Sequence, residues 1–251
     1  MVTDKTEQYS NRIDEMIRRN LLSSAGVNSN IEYVRGHIIK IYDEPVQLLN
    51  MSKQKSFTFA LDKDPDKSLQ RQIEQIIVPA IDAHRFSVFA NRAGMEAHGI
   101  FTIKNAYNIF KKSNSILTNK GISKKEGRIA FCTNSFIELL IESRNLTRLI
   151  DLPDNTIVYK GMVGSCDNIP IIAVPKRRFP EDVAFIIIHP QFVYSPIKLQ
   201  EYKIYREVAG IDGTLVEGLI YYDTFVRNEN RNSIIVGYDL STGALIKENK
   251  K

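Results

Sequence analysis

The stretch from Asp64 to Gly94, DPDKSLQRQIEQIIVPAIDAHRFSVFANRAG, decides how the rest of the chain is read. Asp64 suits an N-cap, Pro65 the first helical position and Asp66 the first turn, where unpaired N–H groups need acceptors and proline has none to waste. Leu69, Ile73, Ile76, Ala80 and Ala83 recur at three- and four-residue spacing with Ile77 and Ile81 alongside, which predicts a helix with one apolar face. Gly94 is the predicted stop, a left-handed cap. Such a helix spans roughly 40 Å, the width of a domain, so it serves as a spine for other layers. Pro79 has no N–H for the Gln75 carbonyl, which predicts a kink. Asp82 and Arg85, three residues apart, are read as a local pair.

Upstream, residues 1–30 read as an arm. Tyr9, Ile13, Met16, Ile17 and Leu21 make a short amphipathic helix, and SSAGVNSN follows as a turn-rich linker. A helix this short needs a docking surface, on the body or on a neighbouring subunit. IEYVRGHIIKIYD and KSFTFALD then read as strands of a hairpin, joined by a loop from Glu44 to Gln54. Turn chemistry favours Gly, Asn and Asp, whereas this loop carries Val46, Leu48, Leu49 and Met51, a composition that marks a contact site. The alternative is that Leu48 and Leu49 fold back on their own subunit.

Downstream, Thr102 is a candidate cap for a second helix with Ile103, Tyr107, Phe110 and Leu117 on one side and Gly121 at its end. Strand RIAFC and a short helix SFIELLIESR follow, with Thr133, Asn134 or Ser135 as cap. TIVYKGMVGSCDNIPIIAVP reads as two strands around a glycine-bearing turn. VAFIIIHP, IKLQEYKIYREVA, GIDGTLVEGLIYYDTFV and NSIIVGYDL complete a strand-rich second half. Helices and strands without regular βαβ alternation indicate an α+β fold.

The 251 residues are 43% apolar and carry a formal charge of +5, with a pI near 9.0. No apolar run is long enough to span a bilayer, and the acidic start has no secretory h-region, so a cytoplasmic site of folding is expected. The basic residues come in small groups, Lys176-Arg177-Arg178 among them, and solvated surface charge explains each taken singly. Gly161 and Gly164, and Gly210 and Gly213, read as turn glycines, lacking P-loop or dinucleotide chemistry around them. His37, His84, His98 and His189 are scattered without metal-ligand spacing. Cys132 sits in an apolar strand where it is inert, and Ser135 has no nucleophile elbow. Phe57, Phe59, Tyr221 and Tyr222 suit sheet packing better than base stacking. No nucleophile, base and orienter can be named, so no enzyme, cofactor or metal is expected.

Five stretches, PAIDAHRFSVFANRAG (79–94), GRIAFCTNSFIELL (127–140), GMVGSCDNIPIIAVPKRRFP (161–180), AFIIIHPQFVYSPIKLQEYKI (184–204) and GIDGTLVEGLIYYDTFV (210–226), carry a resemblance when taken together and in order. They resemble the major capsid proteins of tailed bacteriophages, which share the Hong Kong-phage capsid fold with encapsulins. No single stretch is specific; the ordered set is. Pro79, Asp82, Arg85, Gly161, Gly164, Gly210, Asp212, Gly213 and Gly218 lie within these stretches as the fold-defining residues.

The resemblance implies an N-terminal arm (1–30) and an E-loop hairpin (31–63). It also implies a peripheral domain (64–125 and 190–225), and an axial domain with the C-terminal tail (126–189 and 226–251). It implies a non-enzymatic subunit that self-assembles into pentamers and hexamers around double-stranded DNA, bound non-specifically. Scaffold, portal or cement proteins would be further partners, with the virion as location after assembly in the host cytoplasm. Ile13, Met16 and Ile17 of the arm and Val46, Leu48, Leu49 and Met51 of the loop are the expected assembly contacts. Deleting residues 1–25 is then expected to leave a folded body. One departure stands out: the segment between the two E-loop strands is much shorter here than in relatives of this kind. Two other readings remain, an encapsulin-like compartment with a protein cargo, and a basic nucleic-acid-binding protein using Lys176-Arg177-Arg178 and the spine.

Overall fold

The apolar runs IAFCT and VAFIII become β3 (Ile129–Thr133) and β7 (Val183–Ile188), and every residue of both is buried. They lack alternation because both faces of their sheet are covered. The structure is a computed structural model that describes residues 12–27, 53–61, 70–71, 73–122, 127–154, 156–206 and 214–241. In it, seven strands lie side by side: β2 (Met95–Gly99), β12 (Ile234–Asp239), β7, β3, β6 (Ile169–Val174), β5 (Met162–Cys166) and β4 (Thr147–Arg148). β12 runs parallel to β2, and β3 parallel to β6; the remaining neighbours are antiparallel.

Side chains alternate across this sheet with period two. Ile129, Phe131, Ile186, Ile188, Ile234 and Val236 face Phe86 and Phe89 of the spine. Ala130, Cys132, Phe185, Ile187 and Ile235 face the opposite layer, made by α3 (Ala106–Asn119) and α4 (Asn134–Glu142) through Phe110, Phe136 and Leu140. Edge-to-face aromatic contacts tie the first layer down, with Phe86 5.1 Å from Phe131 and 4.8 Å from Phe179 between ring centres. β2 and α3, within residues 64–125, pack with this seven-stranded sheet.

The spine is α2, a π-helical turn over Ile73–Ile77 continued by α-helix over Val78–Arg92. Pro79 sits near the start of the α-helical part, so its missing N–H falls where the hydrogen-bond register changes. The disturbance expected at Pro79 takes the form of an extra residue in the preceding turn. That extra residue rotates the helix face. Ile73, Ile77, Ile81, Asp82, Arg85, Phe86 and Phe89 line the buried side, while Ile76 is 41% exposed and Ala80 and Ala83 are half-buried, a correction to the predicted stripe. Asp64, Pro65, Asp66 and Leu69 lie outside the described residues. Ile77→Asp places a charge at a fully buried site and is expected to cost several kcal/mol. Circular dichroism of the soluble fraction checks this, and a native-like spectrum would refute the helix register.

Gly94 does not cap in the left-handed region. It is the point where the chain passes closest to Arg231, whose backbone a Cβ would meet at 2.7 Å. Gly121, at φ +82°, does end α3, with the Ile122 N–H donating to the Leu117 carbonyl at 3.1 Å. Thr102 is not a side-chain cap; its N–H donates to Asn105 Oδ1 at 2.7 Å, and Asn105 takes the cap position. Ile103, predicted on the inner side, is exposed. Thr133 caps α4 by accepting from the Phe136 N–H at 3.4 Å. The turn between β5 and β6 is Asp167–Asn168, both at positive φ, in the two-residue hairpin geometry. The glycines predicted for it lie elsewhere.

A second, three-stranded sheet has the order β1 (Lys53–Leu61), β10 (Thr214–Tyr222), β9 (Ile197–Arg206), antiparallel throughout. The KSFTFAL strand thus pairs with β10, where Gly218 stands opposite Phe57 and Tyr202. IEYVRGHIIKIYD and the loop residues Val46, Leu48, Leu49 and Met51 lie outside the described residues. At the base of this sheet, β8 (Val193–Tyr194) pairs with β11 (Phe225–Val226).

Of the two docking surfaces left open for the arm's stripe, its described part uses the body. Helix α1 (12–20) buries Ile13 and Ile17 completely, and with Leu21 they pack on Ile73, Ile77, Ile81, Ile197 and Ile220. Their partner surface is the chain's own spine, so Ile13 and Ile17 have no face left for a neighbour; Met16 packs at the margin. SSAG continues as a 3₁₀ turn over Leu22–Gly26 with Ser23 and Gly26 buried, so this part is interior and not a linker.

Candidate assembly surfaces and the junction behind them

Asp82 and Arg85 face the buried side of α2 because they fall on the same stripe as Ile81, Phe86 and Phe89. Burying an aspartate requires donors on its oxygens. Asp82 Oδ1 accepts from the Ser23 N–H at 3.1 Å and from the Ser23 hydroxyl at 2.5 Å, and Oδ2 from the Leu22 N–H at 3.2 Å and from Arg178 at 2.7 Å. Arg85 donates to Ser195 Oγ at 2.6 Å, to the Ser195 carbonyl at 2.9 Å and to Ser23 Oγ at 3.1 Å. The two residues therefore meet through Ser23 and not as the local pair expected from their spacing. Burial lowers the Arg85 guanidinium to about 10, with Asp82 partly offsetting it. One junction holds four segments: the 3₁₀ turn after α1, the spine, the turn at Lys176–Arg178 and the base of β9.

The base continues outward from Ser195. Its hydroxyl donates to the Asp223 carbonyl at 2.8 Å, and Asp223 Oδ1 accepts from the Thr224 N–H at 2.7 Å. His84 Nε2 lies 3.2 Å from the same Asp223 oxygen, with its ring edge-on to Tyr222 at 5.4 Å. Burial, with the Asp223 charge adding to it, raises the Tyr222 phenol. This cluster pins the strands leaving for the three-stranded sheet onto α2.

Other sequence candidates are dispersed. Gly161 takes φ +76° ahead of β5, and Gly164 lies against the Thr147 carbonyl where β4 crosses, so neither borders a ligand loop. Gly210, Asp212 and Gly213 lie outside the described residues. Arg178 of the basic triplet turns inward to Asp82, which removes it from any nucleic-acid surface. Cys132 and Cys166 are buried thiols; burial pushes Cys132 well up, and Cys166 up to about 12. Among the described residues, no group of three or more His, Cys, Asp or Glu is placed to hold a metal ion. No described helix is long and apolar enough to cross a membrane.

Reading the sequence missed the roles of Ser23 and Ser195, and took Arg178 only as part of a basic triplet. It also missed two exposed apolar groups. One follows β4 and precedes β5: Ile150, 89% exposed, with Ile157 at 71% and Val158. The other lies at the end of β2 and β12: Ile100, Ile103 and Leu240, where the Leu240 N–H donates to the Gly99 carbonyl at 3.0 Å.

No protein-family model matches this chain, and neither does any curated protein sequence. Solved structures do match its fold. A structure from Mycobacterium phage Che8 aligns with a TM-score of 0.56 at 14% identity, over 74% of this chain and 71% of that one. The capsid structure of cyanophage P-SCSP1u gives 0.53 at 12% identity, over 74% and 71%. The mature capsid of bacteriophage PhiM1 gives 0.52 at 10% identity, over 74% and 70%.

Proposed function

We propose, on the premise that the chain has the α+β fold of phage capsid subunits, that it is a structural shell protein with no catalytic role. Its copies associate into pentamers and hexamers that close an icosahedral shell around double-stranded DNA, in a virion assembled in the host cytoplasm. The fold match across 74% of the chain carries this reading. Two features of the chain support it. The buried junction at Asp82 ties together segments distant in sequence, which suits repeated shape-specific self-contact. Arg178 is engaged inside the subunit, and a container has no use for a dense basic surface that grips its contents. The same engagement weighs against a dedicated nucleic-acid reader built on Lys176-Arg177-Arg178.

Scaffold, portal or cement proteins are proposed partners on the same basis. The purified chain is expected to give capsomers or megadalton particles by sizing chromatography with light scattering, and closed shells by negative-stain microscopy. Nuclease-protected DNA inside native particles is the expected content; a protein cargo would move the reading to an encapsulin-like compartment. A chain that stays monomeric even when co-expressed with its neighbouring genes would overturn both.

A further inference from the structure

We infer that β2 is an open edge through which two copies of this chain pair, β2 against β2 and antiparallel, about a two-fold axis centred on Ala97. Among the described strands β2 is one of the two edges of the seven-stranded sheet, and its partner is β12. The Gly99 carbonyl accepts from the Leu240 N–H on that side. Main-chain groups alternate in direction along a strand, and β2 follows β12 without a register shift, so Met95, Ala97 and Gly99 face β12. The N–H and C=O groups of Glu96 and His98 therefore point away from the sheet. Edge strands are commonly blunted by lysine, proline, a bulge or shortness. The other described edges carry such devices: β4, β8 and β11 are two residues long, β1 has Lys53 and Lys55, and β9 has Lys198 and Lys203. β2, MEAHG, has none of them.

Backbone and side chains select the same register. With Ala97 opposite its own copy, Glu96 stands opposite His98, and each such pair exchanges both of its main-chain hydrogen bonds. Centring the axis on Glu96 or on His98 sets like against like. The two side chains share one face of the strand, where His98 Nε2 lies 2.9 Å from Glu96 Oε2 and the imidazole stacks on Tyr238 with ring centres 4.9 Å apart. They are held beside the edge yet stay open to solvent, His98 at 51% and Glu96 at 48%. Across the axis each carboxylate meets the copy's imidazole, a complementary pairing made twice. At the end of the strand, a Cβ built on Gly99 would meet nothing within 4 Å. A like-on-like contact of this kind closes at a dimer and does not build a ring. The pairing stands without the shell reading; taken with it, β2 joins one ring to the next across a two-fold axis.

The test uses Ala97→Cys in the full chain under mild oxidation. Opposed residues that share no main-chain bond have Cα atoms about 4.5 Å apart, a distance a disulfide spans. Cys132 and Cys166 are buried, so the background is silent. Ala97→Cys is expected to give a covalent dimer, and Asn108→Cys, exposed on α3, none. Adding Glu96→Lys removes the acid from both pairs and is expected to slow dimer formation about tenfold or more with unchanged circular dichroism. Adding His98→Glu as well restores opposite charges and should restore the rate. A measurement on the wild-type chain needs no substitution: exchange of the Glu96 and His98 amides should slow as protein concentration rises. Folded Ala97→Cys that gives no dimer would overturn the pairing. So would equal dimer from Asn108→Cys, no slowing by Glu96→Lys, or amide exchange that ignores concentration, and each of these leaves the shell reading intact. A covalent dimer in a chain that never forms particles would overturn the shell reading and leave the pairing.

Discussion

Removal of residues 1–25 is expected to unfold the subunit, not to release it from its neighbours. Ile13, Ile17 and Leu21 are all at most 1% exposed, and each buried side chain of this size contributes about 1.5–3 kcal/mol. The three together contribute roughly 5–9 kcal/mol, comparable with the whole stability of an ordinary domain, about 5–15 kcal/mol. Their loss would also open Ile73, Ile77 and Ile81 to water and take the Leu22 and Ser23 donors from Asp82. Expression should yield inclusion bodies, or a soluble species without cooperative thermal unfolding. A truncated chain with a wild-type melting curve would mean that α1 is dispensable to the fold.

Asp82→Ala is the single substitution with the largest expected effect. It strands Arg178 against a buried site and leaves Arg85, already lowered by burial, without the charge that partly offsets that burial. Breaking a buried pair by removing one partner costs about 3–5 kcal/mol. In a protein of this size that corresponds to a fall in Tm of roughly 6–20 °C. Pairing it with Arg178→Met should recover part of the loss, because the uncompensated charge goes with the arginine. A change in Tm of about 2 °C or less would show that water reaches Asp82 and that the junction is not closed.

The central strands were legible because fully buried strands announce themselves as unbroken apolar runs, IAFCT and VAFIII being of that kind, whereas their order in the sheet was not. The α4 start was narrowed to three residues, and only coordinates selected Thr133. Periodicity also found α1, but it cannot say what covers a stripe, and the covering surface here is more than fifty residues away at Ile73 and Ile77. The spine's inner face was misassigned because a π turn is invisible to a 3.6-residue period. Asp82 and Arg85 were picked out, yet a three-residue spacing suggests a local bond, while their partners come from Ser23, Arg178 and Ser195. The exposed corners at Ile150 and Ile100 passed unnoticed, since an apolar residue beside a strand reads as more core.

The place of β12 has a consequence for the timing of biosynthesis. It lies between β2 and β7, so the strand that joins them is translated after everything from Ile100 to Ser233. At about 5–20 residues per second, roughly 7–30 s separate the emergence of Gly99 from that of Ile234. Throughout that interval β2 has no neighbour, and the Ile100 corner, which is fastened to β12 through Leu240, has no fixed position. A nascent chain that ends before β12 therefore lacks a settled β2 edge. The seven-stranded sheet is thus completed last at its β2 edge, after β3, β6 and β7 have had time to pair.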